Sequence, residues 1–183
     1  MNEKNPWQTL SSRLVYSNPW ISVREDQVIR PDGQPGIYGV VSTRIATGVV
    51  AVTPDRQVYL VGQYRYPTEH YSWEIIEGGT DDGEAPLQAA IREMREEAGL
   101  IADQIVQLGE EFHLSNCFSS EIGYVFLATG LRQVPSAPDG TEQLVTRQLA
   151  FDAALEMVHS GEIKDAVTIV GLYRAAKYLG IRV

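Results

Sequence analysis

The chain has 183 residues, enough for one well-buried core or two small units, and the composition of an ordinary globular protein. Its 24 acidic and 15 basic side chains give a net charge of −9, which argues against a nucleic-acid surface and leaves any phosphate substrate to be met by local charge or metal. One cysteine (Cys117) excludes an internal disulfide, and with no apolar h-region at the N-terminus and no run near the length of a membrane span the expectation is a cytoplasmic protein.

Ser12 to Tyr16, Ile21 to Ile29 and Ile37 to Thr43 alternate as strands, and the turn-rich Arg30 to Gly36 separates the second from the third. Residues 1–45 therefore read as a small antiparallel β unit, and residues 46–183 as a core in which strands alternate with helices. Gly48 to Thr53 and Val58 to Tyr64 flank a Pro54-Asp55 turn, and Trp73 to Ile76 reads as a further short strand. Gly78 to Gly83 has loop chemistry. Pro86 suits the first turn of a helix, where its missing N–H would be unpaired anyway. Leu87, Ala90, Ile91 and Met94 recur at helical spacing as the apolar face, and Gly99 is the stop. Strands are expected again at Ile105 to His113, Gly123 to Thr129 and Leu144 to Ala150, the last after a loop through Pro135, Pro138 and Gly140. Asp152 is expected to cap a helix over 153–159, and Asp165 a longer one over 166–179 that stops at Gly180. The fold class is α/β, a mixed sheet with helices on both faces.

One segment carries chemistry. Glu93, Glu96 and Glu97 stand at i, i+3 and i+4, so a helix puts all three carboxylates on one face. Crowding like charges there costs a few tenths of a kcal/mol per pair, so the cluster wants a cation. Hard divalent ions take oxygen ligands and complete their shell with waters and phosphates. The chain has no G-x-S-x-G, P-loop or zinc pattern, and His70, His113 and His159 are scattered without ligand spacing.

The 23-residue run from Gly78 to Leu100, GGTDDGEAPLQAAIREMREEAGL, resembles the Nudix box, G-x5-E-x7-R-E-U-x-E-E-x-G-U with U apolar. The matching residues are Gly78, Glu84, Arg92, Glu93, Met94, Glu96, Glu97, Gly99 and Leu100. The resemblance implies an α/β/α sandwich and Mg²⁺-dependent hydrolysis, with Mn²⁺ as the alternative, of a nucleoside diphosphate linked to another moiety. It implies Glu93, Glu97 and Glu96 as metal ligands, joined by the backbone carbonyl of Glu77. Arg92 would orient these glutamates, and Glu84 would support the loop or orient a ligand. The general base of similar enzymes lies in the loop before the last core strand, which makes Glu142 the candidate, with Glu96 next in line.

Gln63 to Pro67 and Trp73 to Gly78 resemble the QYR-x-P and E-x-P-A-G segments of the ADP-ribose and nucleotide-sugar hydrolases, which brings in Arg65 and Glu74 as substrate contacts. Here Ile76 stands for the Pro and Glu77 for the small Ala, and Ser115 to Glu121 lacks the Pro and Gly of a corresponding loop. Trp20 and Tyr38 are candidates for stacking on a base. By the same likeness the N-terminal unit pairs two copies into a homodimer. Expected products are a nucleoside monophosphate and a sugar phosphate. The alternatives are a Nudix hydrolase of nucleoside triphosphates or dinucleoside polyphosphates, and a module that senses nucleotides without cleaving them.

Overall fold

The computed structural model describes residues 4–136 and 143–182. These form two compact units, Met1–Arg44 with His113–Ile122, and Ile45–Phe112 with Gly123–Val183. In the first unit β1 (Gln8–Ser17), β2 (Ile21–Ile29) and β3 (Pro35–Thr43) make an antiparallel sheet in that order. Asn18 closes the first hairpin, its Oδ1 accepting the N–H groups of Trp20 and Ile21 at 2.8 Å each. Gly33, at φ 79°, supplies the left-handed residue of the second turn. Every residue of β1 is exposed, Leu10, Leu14, Val15 and Tyr16 among them. Residues 113–122 dock on β3, where the Val41 N–H meets the Phe118 carbonyl at 2.8 Å and the Ser120 N–H returns to Val41 at 2.9 Å.

The elements that follow are β4 (Ala46–Ala51), β5 (Gln57–Arg65), β6 (His70–Glu74), β7 (Ile76–Gly79), α1 (Pro86–Ala98), β8 (Leu100–Gln107), β9 (Phe112–His113), β10 (Ile122–Gln133), β11 (Val145–Ala150), α2 (Phe151–His159) and α3 (Ala166–Leu179). One sheet has the order β7-β4-β10-β8, with β9 joining it, and the other has the order β11-β5-β6. The first is mixed, because β4 lies parallel to β10 and antiparallel to β7. β4 is apolar along nearly its whole length, as a strand covered on both faces must be. On one face Val49 and Ala51 join Phe126 and the α1 residues Ala90, Met94 and Ala98 in a single core. On the other, α3 approaches so closely that a Cβ on Gly48 or Gly171 would sit 2.8 or 2.7 Å from the Ile75 Cδ1 atom. Helix, mixed sheet and helix give the α/β layering that the sequence predicts.

Four local expectations change. The expected strand over Trp73 to Ile76 is two strands in different sheets, because the Ile75 N–H leaves both ladders and donates to Thr168 Oγ1 at 3.0 Å. The strand expected at Ile105 to His113 instead starts at Leu100, directly after the helix, and ends at Gln107, before Gly109 turns the chain at φ 76°. Asp152 is not the cap of α2: Phe151 is buried and draws the start forward, leaving Asp152 in the first turn, where its charge still faces the helix dipole. On α1 the inward stripe is Ala90, Met94 and Ala98, with Ala89 and Glu97 also buried, while Leu87 and Ile91 are exposed. The carboxylates therefore border the core face and do not sit opposite it.

Met94→Ala should cost about 2–5 kcal/mol, since it empties a fully buried site. Ile91→Ala, three residues earlier on the exposed side, should cost under about 1 kcal/mol. Urea denaturation of the two variants checks the assignment; equal losses would mean that the inward stripe is misplaced.

Candidate active site

The end of β7, the loop after it and the helix, from Gly78 to Gly99, are fixed by local chemistry. Pro86 takes the first helical turn, and Gly99 ends the helix in the left-handed region at φ 61°, its N–H returning to the Arg95 carbonyl. Arg92 then ties helix to loop. Its Nε and Nη2 meet the Glu84 carboxylate at 3.1 and 2.9 Å, and Nη2 also donates to the Gly79 carbonyl at 2.9 Å. Nη1 reaches Glu93 at 2.7 Å and Glu96 at 3.1 Å. Glu84 in turn accepts the Asp81 N–H at 2.9 Å. The hydrogen bonds from Arg92, followed by that from Asp81, hold the Glu84 carboxyl below the usual range, and Glu84 raises the Arg92 guanidinium further above its own.

Glu93 lies so close over the chain at Gly78 that a Cβ there would overlap its carboxyl group. This close approach is why the position takes glycine. One turn on, Glu97 is only 5% exposed, and its Oε2 accepts the Glu77 N–H at 3.2 Å. One guanidinium shared among Glu84, Glu93 and Glu96 leaves that set net negative. All the donors are oxygens, as a hard divalent cation requires. Among the described residues no three Asp, Glu, His or Cys side chains converge on one point. The donor chemistry thus fits a cation of the Mg²⁺ kind, which is held by few carboxylates and keeps waters and phosphate oxygens as its other ligands.

The other sequence candidates divide by place. Arg65 grips the carboxylate of Glu74, with Nε at 2.9 and 3.1 Å from its two oxygens, and Gln63 adds a hydrogen bond at 3.3 Å. Glu74 is buried, whereas the Arg65 side chain keeps 40% of its exposure. Burial pulls the Arg65 guanidinium down, but its bonds and attraction to Glu74 outweigh this and raise it. The side chain of Glu77 turns toward α3, where Oε1 accepts the Thr168 hydroxyl at 2.7 Å. Burial pushes its carboxyl well above the ordinary range, and the charges of Asp165 and Glu74 push the same way. Trp20 and Tyr38 belong to the first unit: Trp20 is 66% exposed, while Tyr38 stands edge-on to Trp7 and donates to the Cys117 carbonyl at 2.6 Å. Glu142 lies outside the described residues.

Thr168, fully buried and bonded to both Ile75 and Glu77, was not singled out in the sequence. A hydroxyl at the third position after a capping Asp165 looks like ordinary capping, and its N–H does accept that role, donating to Asp165 at 2.6 Å. Nothing in the local pattern signals the two contacts more than 90 residues away.

A family model described as "Nucleoside diphosphate sugar hydrolase N-terminal domain" matches residues 7–41, and the NUDIX domain model matches residues 42–167. The chain is similar to the methanol dehydrogenase activator of Bacillus methanolicus, 30% identical over 177 residues that cover 96% of this chain and 93% of that protein. It is similar to the ADP-ribose pyrophosphatase of Bacillus subtilis (strain 168), 31% identical over 163 residues, 88% of each. Among solved structures an ADP compounds hydrolase shares the fold, with a TM-score of 0.86 at 20% identity over 98% of this chain and 97% of that one.

The geometry at Gly78 gives a direct test. Gly78→Ala must displace the Glu93 carboxyl and its bond to Arg92, and should cost about 1–3 kcal/mol. Gly39→Ala, in β3 with open space around the new methyl, should change stability by less than about 0.5 kcal/mol in the same urea titration.

Proposed function

Since this chain belongs to the Nudix family of hydrolases, in its ADP-ribose pyrophosphatase branch, we propose that it is a Mg²⁺-dependent hydrolase of nucleoside diphosphate sugars such as ADP-ribose or GDP-mannose. The observation that carries the reading is the intact box: Arg92 binds Glu93 and Glu96 and pins the loop at Gly79, while Glu97, one turn on, accepts the Glu77 N–H. Glu93, Glu97, Glu96 and the Glu77 carbonyl, which do not all converge on one point here, would hold the cation between them, partly through its waters, with Mn²⁺ as a substitute. When bound, such an ion neutralises the diphosphate and lowers the pKa of a coordinated water.

The chain's own groups do the rest. Arg92 keeps Glu93 and Glu96 from splaying, and Glu84 holds the loop to it. Glu142 takes the proton from the attacking water, with Glu96 as the substitute base. Arg65, preset by Glu74, offers a guanidinium that matches phosphate or ribose oxygens. Trp20 and Tyr38, in the N-terminal unit of residues 1–45, stack on the base. The same unit joins two copies as a homodimer, a reading supported by the apolar side chains that β1 leaves exposed. The products are a nucleoside monophosphate and a sugar phosphate. We place the enzyme in the cytoplasm; no helix among the described residues is long and apolar enough to cross a membrane.

Two substitutions test the roles on ADP-ribose, with monophosphate release as the readout. Glu97→Gln removes a charge from the cation site and should abolish turnover while the far-ultraviolet circular dichroism stays unchanged; full Mg²⁺-dependent activity would refute the ligand assignment. Glu142→Gln should slow the reaction by about 10²–10⁴-fold, the range for loss of a general base. An unchanged rate would transfer that role to Glu96.

A further inference from the structure

Glu77 holds the box helix on one side and α3 on the other. Among the described residues β7 lies at the edge of its sheet, paired with β4. The Glu77 N–H donates to Glu97 Oε2 at 3.2 Å, tying the strand to α1. Its side chain reaches the opposite way, to the Thr168 hydroxyl at 2.7 Å. That hydroxyl is used twice, donating its proton to Glu77 and accepting the Ile75 N–H at 3.0 Å. The Thr168 backbone N–H is in turn held by Asp165, so the acceptor's partner is itself fixed on the first turn of α3. A small residue here, such as the Ala of the resembling segments, has no atom that could make the link.

We propose that the Glu77 side chain is a positioning residue: braced on Thr168, it fixes the peptide that holds Glu97 and so sets how tightly the box carboxylates take a divalent cation. The proposal rests on the reading that those carboxylates bind a cation at all. The brace works at a distance from substrate, because the carboxyl points to α3 and reaches the site only through its own backbone. Removing it frees an edge strand to shift, and Glu97 and the Glu77 carbonyl lose their mutual setting. The effect belongs to the metal and not to the sugar, so metal affinity and substrate KM should separate.

The test is Mn²⁺ binding to substrate-free protein, followed by electron paramagnetic resonance, beside ADP-ribose KM at saturating Mn²⁺. Thr168→Val and Glu77→Ala should each weaken Mn²⁺ binding by about 10-fold or more, the scale for losing a group that orients a ligand. Thr168→Ser and Glu77→Gln, which keep a hydroxyl and an acceptor, should recover most of it, and KM should move less than about twofold in all four. If the larger changes prevent folding, Glu77→Asp, which withdraws the carboxyl by one methylene, should show the same loss. The brace is refuted if folded Thr168→Val and Glu77→Ala bind Mn²⁺ as tightly as the parent, or if Glu77→Gln is as weak as Glu77→Ala. The underlying reading has a separate control: the parent must bind Mn²⁺ and Glu97→Gln must lose it.

Discussion

Arg92 is the cation on which the arrangement of the box turns. Its guanidinium spans the gap between a loop and a helix, meeting Glu84 and the Gly79 carbonyl on one side and Glu93 and Glu96 on the other. A planar fork with five donors can satisfy that many acceptors in fixed directions, which an ammonium cannot. Without it, like charges at helical spacing would repel and the glutamates would rotate toward water. With it they stay close and under-neutralised. That residual negative charge is what a divalent cation beside this helix would offset.

Packing supplies the rigidity that charge alone does not. Ala90, Met94 and Ala98 seat α1 against Val49, Ala51 and Phe126, so the helix cannot roll to relieve the crowded face. Small side chains on this stripe bring the helix close to the sheet, and the close approach carries Glu97 into a buried position and Glu93 over Gly78. On the far side of the sheet Gly48 and Gly171 make room for Ile75. The chain between Ile75 and Gly79 thus lies between two helices, bonded to Thr168 of one and Glu97 of the other. A short edge strand becomes a fixed element because both flanking helices hold it.

The box was legible because its spacing is a sequence property: nine residues at set intervals, with Pro86 and Gly99 marking where the helix starts and stops. The Asp165 cap was legible for the same local reason. What escaped was decided by partners distant in sequence. Periodicity put Leu87 and Ile91 on the buried face, but a stripe shifted by the tight approach of Ala90 and Ala98 leaves both exposed. The break at Ile75 depends on a threonine 93 residues away, and the early start of α2 on where Phe151 finds its core. The substitution of Glu77 for a small residue was visible, yet its direction was not, since only the placement of α3 says where that carboxyl finds a donor.

Whether this carboxylate face performs metal-assisted cleavage of a nucleotide-linked diphosphate is decided by product analysis across ADP-ribose, GDP-mannose, UDP-glucose, ADP-glucose and ATP, each with Mg²⁺ and with chelator. Release of a nucleoside monophosphate and a sugar phosphate from one or more of the sugars, abolished by chelation, is expected. Cleavage of ATP alone would replace the substrate class, and cleavage of nothing, or cleavage indifferent to chelator, would rule out metal-assisted hydrolysis at this face.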